Sequence, residues 1–130
     1  MKKIILVFAF ALLSFSIHAQ ETLEGLPEAK VSQELYISFL DMESTATSYV
    51  ANISGLELAS EEAAERFFSH FWDKEHVQFT VLFGEQKVRI DLTQPESTDG
   101  VWTARNWGTR FKMHLSEERK EKGFVDYRKL

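Results

Sequence analysis

The 130-residue chain contains no cysteine. This excludes a disulfide scaffold and thiolate metal or redox chemistry, as well as the bacterial lipid anchor that needs a cysteine at the new N-terminus. Two prolines and six glycines are too few for a low-complexity or collagen-like chain. The longest apolar stretch, Ile4 to Ile17, holds 14 residues, short of the roughly 20 that a bilayer-spanning helix needs. A P-loop, a G-x-G-x-x-G turn and a G-x-S-x-G elbow are all missing, so the familiar phosphate cradles and serine-hydrolase geometry have no basis here.

What is present begins with an export signal. Met1-Lys2-Lys3 supplies a positive start, IILVFAFALLSFSI an apolar core, and Ile17-His18-Ala19 a cleavage site before the polar QETLE. Residues 1–19 are therefore expected to be a cleaved signal peptide, leaving a periplasmic or secreted product that starts near Gln20 and keeps no membrane anchor. The remaining 111 residues suffice for one core without staples.

Charge is unevenly placed. Gln20 to Gly100 carries 5 Lys and Arg against 16 Asp and Glu, net −11, whereas Val101 to Leu130 carries 8 against 4, net +4. The basic residues of the C-terminal stretch are interrupted by Glu117, Glu118 and Glu121, so they read as solvated helix faces and not as a nucleic-acid surface.

The clearest element is a helix capped by Ser60, with Glu61 and Glu62 in its first turn and Ala64, Phe67, Phe68 and Phe71 on one stripe. Trp72 extends that stripe, and Asp73 to His76 ends it. Val77 to Phe83 then alternates as a half-buried strand, Gly84 to Gln86 turns, and Lys87 to Leu92 alternates with period two, which makes a β-hairpin. After the polar loop TQPESTDG, a second helix starts at Thr103 and places Ala104, Trp107, Phe111 and Leu115 at helical spacing. Gly108 weakens it by about 1 kcal/mol relative to Ala unless close packing needs the small residue. Phe124 to Tyr127 suits either a short edge strand or a frayed end.

Toward the N-terminus, Val31, Leu35, Phe39 and Met42 fit a helix, while LYISFL fits a buried strand, so the residues between 28 and 44 stay open between the two. Thr47, Tyr49, Ala51 and Ile53 alternate as a strand. The organisation expected is residues 1–19 as signal peptide, 20–48 as an N-terminal segment and 49–130 as an α+β domain in the βαββαβ order of a ferredoxin-like sandwich.

Ile53-Ser54-Gly55-Leu56 before a helix, His76-Val77 opening a strand, and a glycine turn before Lys87-Val88-Arg89-Ile90 together resemble the heavy-metal-associated domain of copper chaperones and metal-transporting ATPases. The resemblance spans Tyr49 to Leu92 and implies a ferredoxin-like fold. That family binds a soft metal through Cys-x-x-Cys at the start of its first helix. Here the corresponding positions are Leu58 and Glu61, so no metal ligand is carried over.

Few residues remain for chemistry. His70 and Asp73 stand three apart near the end of the first helix, with His76 just beyond, and imidazole plus carboxylate is a donor set that zinc accepts. A fourth ligand is not evident nearby, although His114 is a distant candidate. The function expected is a small exported, non-catalytic binding or interaction module for an unknown protein or small-molecule partner. It needs no cofactor and meets its partner through Trp102, Trp107, Arg105 and Arg110. The alternative is a metal-dependent carrier or small hydrolase using His70, Asp73 and His76.

Overall fold

The computed structural model describes residues 23–130, and the signal peptide expected over 1–19 lies outside them. The described residues form an α+β fold: a five-stranded mixed sheet with two helices on one face. The strands are β1 (Glu28–Val31), β2 (Ile37–Phe39), β3 (Ser48–Asn52), β4 (Val77–Leu82) and β5 (Lys87–Leu92), and the helices are α1 (Glu61–Ser69) and α2 (Ala104–Lys122). Across the sheet the order is β2-β1-β3-β5-β4. β1 runs parallel to β3, and every other neighbouring pair is antiparallel.

Register explains which face is buried. Ala29 sits opposite both Phe39 and Ala51, Tyr49 opposite Ile90, and Ile90 opposite Phe79; directly opposed residues share a face. This face carries the fully buried Tyr49, Val88 and Ile90, and the other carries Lys30, Ser48, Gln78, Thr80, Lys87 and Arg89. Phe67, Phe68, Phe71, Trp107 and Phe111 cover the apolar face from the helix side. Their rings meet at angles suited to the quadrupole: Phe67 on Phe68 at 87° and Phe71 on Phe111 at 86°.

The expected cap is present, with Ser60 Oγ accepting from Ala63 N at 3.1 Å. The helix is shorter than its aromatic stripe implied. The amides of His70 and Phe71 bond three residues back, to Phe67 and Phe68, a tightening that ends α1 at Ser69. Phe71 stays in the core, while Trp72 turns out toward α2 and is 39% exposed. In consequence His70 and Asp73 do not share a helical face.

The hairpin is formed as its alternation predicts, β4 and β5 pairing from Val77↔Leu92 to Leu82↔Lys87. The turn lies one residue earlier than expected, a 3-10 turn over Phe83–Glu85 with Gln86 at φ 54°. At the N-terminus, the choice left open resolves as strand. β1 and β2 form a hairpin closed by Ser32 N on Tyr36 O, with Leu35 buried at φ 57°.

The edge strand expected over Phe124 to Tyr127 does not form. Gly123, at φ 72°, ends α2, and Tyr127–Lys129 is a 3-10 turn capped by the Asp126 side chain. Tyr127 N reaches Gln33 O at 2.9 Å. That is one bond to the β1–β2 turn and no ladder. The place beside β3 that such a strand would fill belongs to β1.

Candidate interaction site

α2 meets the sheet with its first half only. Its N-terminal amides, which have no partner within the helix, are taken by carbonyls of the turn before β3: Ala104 N by Ser44 O at 2.8 Å and Arg105 N by Met42 O at 2.9 Å. Thr103 and Asn106 complete a capping box. Ala104, Trp107, Gly108 and Phe111 are buried, whereas Leu115 is half-buried and Met113 is 63% exposed. At Gly108 the helix passes close to the β2–β3 connection: a Cβ there would lie 3.3 Å from the Met42 methyl.

The outer side of α2 is organised by a buried carboxylate. Asp73, 6% exposed, accepts from His76 Nδ1 at 2.8 Å through one oxygen. Through the other it accepts from Arg110 Nε at 3.1 Å and Nη2 at 3.0 Å. A buried charge is costly unless paired and hydrogen-bonded, and here both oxygens are occupied. The guanidinium so fixed lies 5.4 Å from the centroid of the Trp72 ring, within cation–π range. One turn on, His114 stacks on the same indole at 4.1 Å and 13° and pairs with Glu118 at 3.2 Å. Arg110 and His114 are four residues apart and therefore neighbours on one helix face, which clips Trp72 to α2.

Trp102 is placed from the other direction. The Gln94 side chain gathers the loop, donating to Thr98 Oγ1 and Gly100 O and accepting from Trp102 N at 2.7 Å. The Trp102 ring then stands edge-on to Trp107, 4.8 Å between centroids. Between Trp72 and Trp102 runs an open groove of about 490 Å³ walled by Asn106, Arg110, Met113 and His114.

At the far end of α2 the contacts are polar. Arg119 forks onto Glu34, with Nε 2.9 Å from one oxygen and Nη2 on the other; that hydrogen bond holds the guanidinium above its ordinary pKa. The Tyr127 hydroxyl donates to Glu118. Burial first, and the Glu118 carboxylate second, push this phenol up to about 12. Asp126 is lowered to about 2 by its hydrogen bond from Arg128. A small cavity of about 20 Å³ lies between Glu34, His70, Trp72, His114, Glu118 and Tyr127, room for a single water.

The residues singled out from sequence fare unequally. Trp107 is 3% exposed and belongs to the core, because its place on the Ala104–Phe111 stripe directs it at the sheet; it presents no surface to a partner. Arg105 pairs with Glu43 at 2.7 Å, both side chains largely exposed. Trp102 and Arg110 do reach the groove. Of the metal candidates, Asp73 and His76 are together, but His70 stands by Tyr127, their rings 5.9 Å apart. An ion on Asp73 would have to displace a guanidinium, and among the described residues no group of three or more histidines and carboxylates is placed to hold a metal. An Asp–His pair could orient a base, yet His76 Nδ1 is spent on Asp73 and, among the described residues, no Ser or Thr hydroxyl is hydrogen-bonded to this ring. Sequence reasoning missed the role of Trp72 and the Asp73–Arg110 pair, whose partners lie 37 residues apart. Comparison with family models, with curated proteins and with solved structures gives no match. Among the described residues, no helix is long and apolar enough to cross a membrane.

Proposed function

We propose that this chain is a small exported, non-catalytic binding module that receives its partner in the groove between Trp72 and Trp102. The observation that carries this reading is Trp72 itself: a large aromatic left 39% exposed while Arg110, His114 and, through Arg110, the buried Asp73 fix its orientation. Rigid aromatics beside an exposed Met and a fixed cation are the composition of binding surfaces, where ordering side chains in advance lowers the cost of association. The same proposal reads β3, α1, β4 and β5 as the split β-α-β core of a ferredoxin-like sandwich, with β1 standing in for its last strand. The metal-dependent alternative is less well supported, since the Asp73 carboxylate is already committed to Arg110.

A photo-crosslinking residue in place of Met113, introduced in the producing cell, tests the reading. A discrete adduct that disappears when Trp72→Ala is added, and is not formed from the same probe at Glu96, is expected. Absence of an adduct at Met113, or one insensitive to Trp72, would overturn it. Zinc titration of the wild type against His70→Ala and His76→Ala decides the alternative; a stoichiometric submicromolar site lost in these variants would put metal first.

A further inference from the structure

β4 is an edge strand, paired only with β5 among the described residues. The direction of its free groups follows from the bonds around β5. Leu92 N donates to Thr47 O beside β3, and Thr93 N donates to His76 O beside β4. Alternate residues of an antiparallel strand point their amides to opposite sides. Hence Gln78, Thr80 and Leu82 spend their backbone groups on β5, while Phe79 and Val81 direct theirs to the open edge. The remaining outward amide, Val77 N, is taken by Asp73 O at 3.1 Å.

Exposed edges normally carry a lysine, a proline, a bulge or very few residues. β2, the opposite edge, is three residues long. β4 has six, VQFTVL, with no charge and no proline, and its register with β5 is unbroken. Beneath this edge a groove of about 530 Å³ separates β4 from α1, floored by Phe68, Phe79 and Val81, with Phe79 and Val81 only half-buried. Its two charged residues, Glu65 and Lys74, are opposite in sign.

We propose that β4 pairs antiparallel with β4 of a second copy of this chain, with Thr80 on the two-fold axis. In that register Phe79 of each copy exchanges both backbone bonds with Val81 of the other, four bonds in all, using the groups that β5 leaves free. Thr80 then faces Thr80, a favourable cross-strand pair, and Gln78 faces Leu82. No position meets a like charge, and the two grooves bring no net charge to the seam. This matters because the region from Gln20 to Gly100 is otherwise strongly acidic. The inference is independent of the Trp72 groove, which lies on α2.

Light scattering and sedimentation of the purified chain test it. Wild type should have twice the chain mass. Thr80 is exposed and its side chain is on the open sheet face, so Thr80→Lys and Thr80→Glu should each be folded monomers by circular dichroism, and mixing them one to one should restore the dimer. Val81→Pro, which removes a donor that β5 does not use, should also be monomeric and covers the case of a Thr80 variant that fails to fold. A monomeric wild type overturns the proposal, as does a Thr80→Lys or Val81→Pro variant that stays dimeric, or a mixture that stays monomeric. A wild type that is monomeric yet binds unrelated extended peptides at this edge would assign the groove to a different occupant.

Discussion

The two ends of α2 differ in what holds them. From Ala104 to Phe111 the helix lies on the sheet through buried apolar groups, with its amides closed by the 42–44 turn. From Lys112 to Lys122 it is mostly exposed and is tied by the Arg119–Glu34 ion pair and by the Tyr127 hydroxyl on Glu118. Burial of apolar area stabilises in proportion to the area removed from water, whereas an ion pair with one partner still in solvent, as Arg119 is at 54% exposure opposite the buried Glu34, contributes less and mainly fixes geometry. The first half of α2 therefore holds the fold, and the second half and the tail set where the outer groove residues stand.

The largest effect should come from the apolar end. Phe111→Ala, and Phe68→Ala on α1, each remove a ring that is 2% and 4% exposed respectively, and should each cost about 3 to 5 kcal/mol in denaturant unfolding. Leu115→Ala, half-buried one turn further along, should cost much less. Equal losses at Phe111 and Leu115 would erase the contrast between the two ends.

Next is the hinge between the halves. Asp73→Asn keeps the volume of Asp73 but leaves Arg110 without its counter-charge. Breaking a fully buried pair costs about 3 to 5 kcal/mol; the Arg110 side chain is 30% exposed, so about 1 to 3 kcal/mol is expected. Releasing the guanidinium should also free Trp72, seen as a red shift of its fluorescence in a Trp102→Phe background. Loss of stability with an unchanged Trp72 signal would mean that Asp73 supports the core and not the groove.

Those elements whose signal is local were legible in the sequence. Ser60 before the Phe67/Phe68 stripe marks a capped helix, and the period-two runs on either side of Gly84 make a hairpin, because cap and alternation act over a few residues. The β1–β2 hairpin was not legible: β2 is three residues long, and Leu35 adopts a left-handed backbone that is uncommon for a residue without turn chemistry. Its buried side chain holds it there. Trp107 shows a weakness of a different kind. Its helical spacing with Ala104 and Phe111 already placed it in the core, and the chemistry of tryptophan does not override that periodicity. The Asp73–Arg110 pair depends on tertiary approach of α2 to the end of α1 and has no sequence spacing to find.

A smaller effect sharpens the packing of the apolar end. Gly108→Ala gains helix propensity of about 1 kcal/mol, against a Cβ placed 3.3 Å from Met42 Cε. The contacted atom is the end of a flexible side chain, so a net stabilisation of a few tenths of a kcal/mol is expected. Destabilisation beyond 1 kcal/mol by the same unfolding assay would show that Met42 is wedged and that this close approach is required.

The weakest lever belongs to the polar end. Tyr127 loses its proton near 10 in an unfolded chain and at about 12 in the fold. A raised pKa means that the fold favours the neutral phenol, so its contribution is complete below pH 10 and is lost as pH rises from 10 to 12. Tyr127→Phe keeps the ring beside His70 but removes the bond to Glu118. The variant should therefore show a shallower fall in stability across that window than the wild type, with little change in the pH dependence near neutrality. Tyr127→Phe removes one of several contacts of the tail, leaving Tyr127 N on Gln33 O, Arg128 on Leu56 O and the ring beside His70, so the change in hydrogen exchange should be small and centred on the amides of Tyr127 to Leu130. An alkaline profile identical in the two proteins would remove Tyr127 from the contacts that hold the far end of α2.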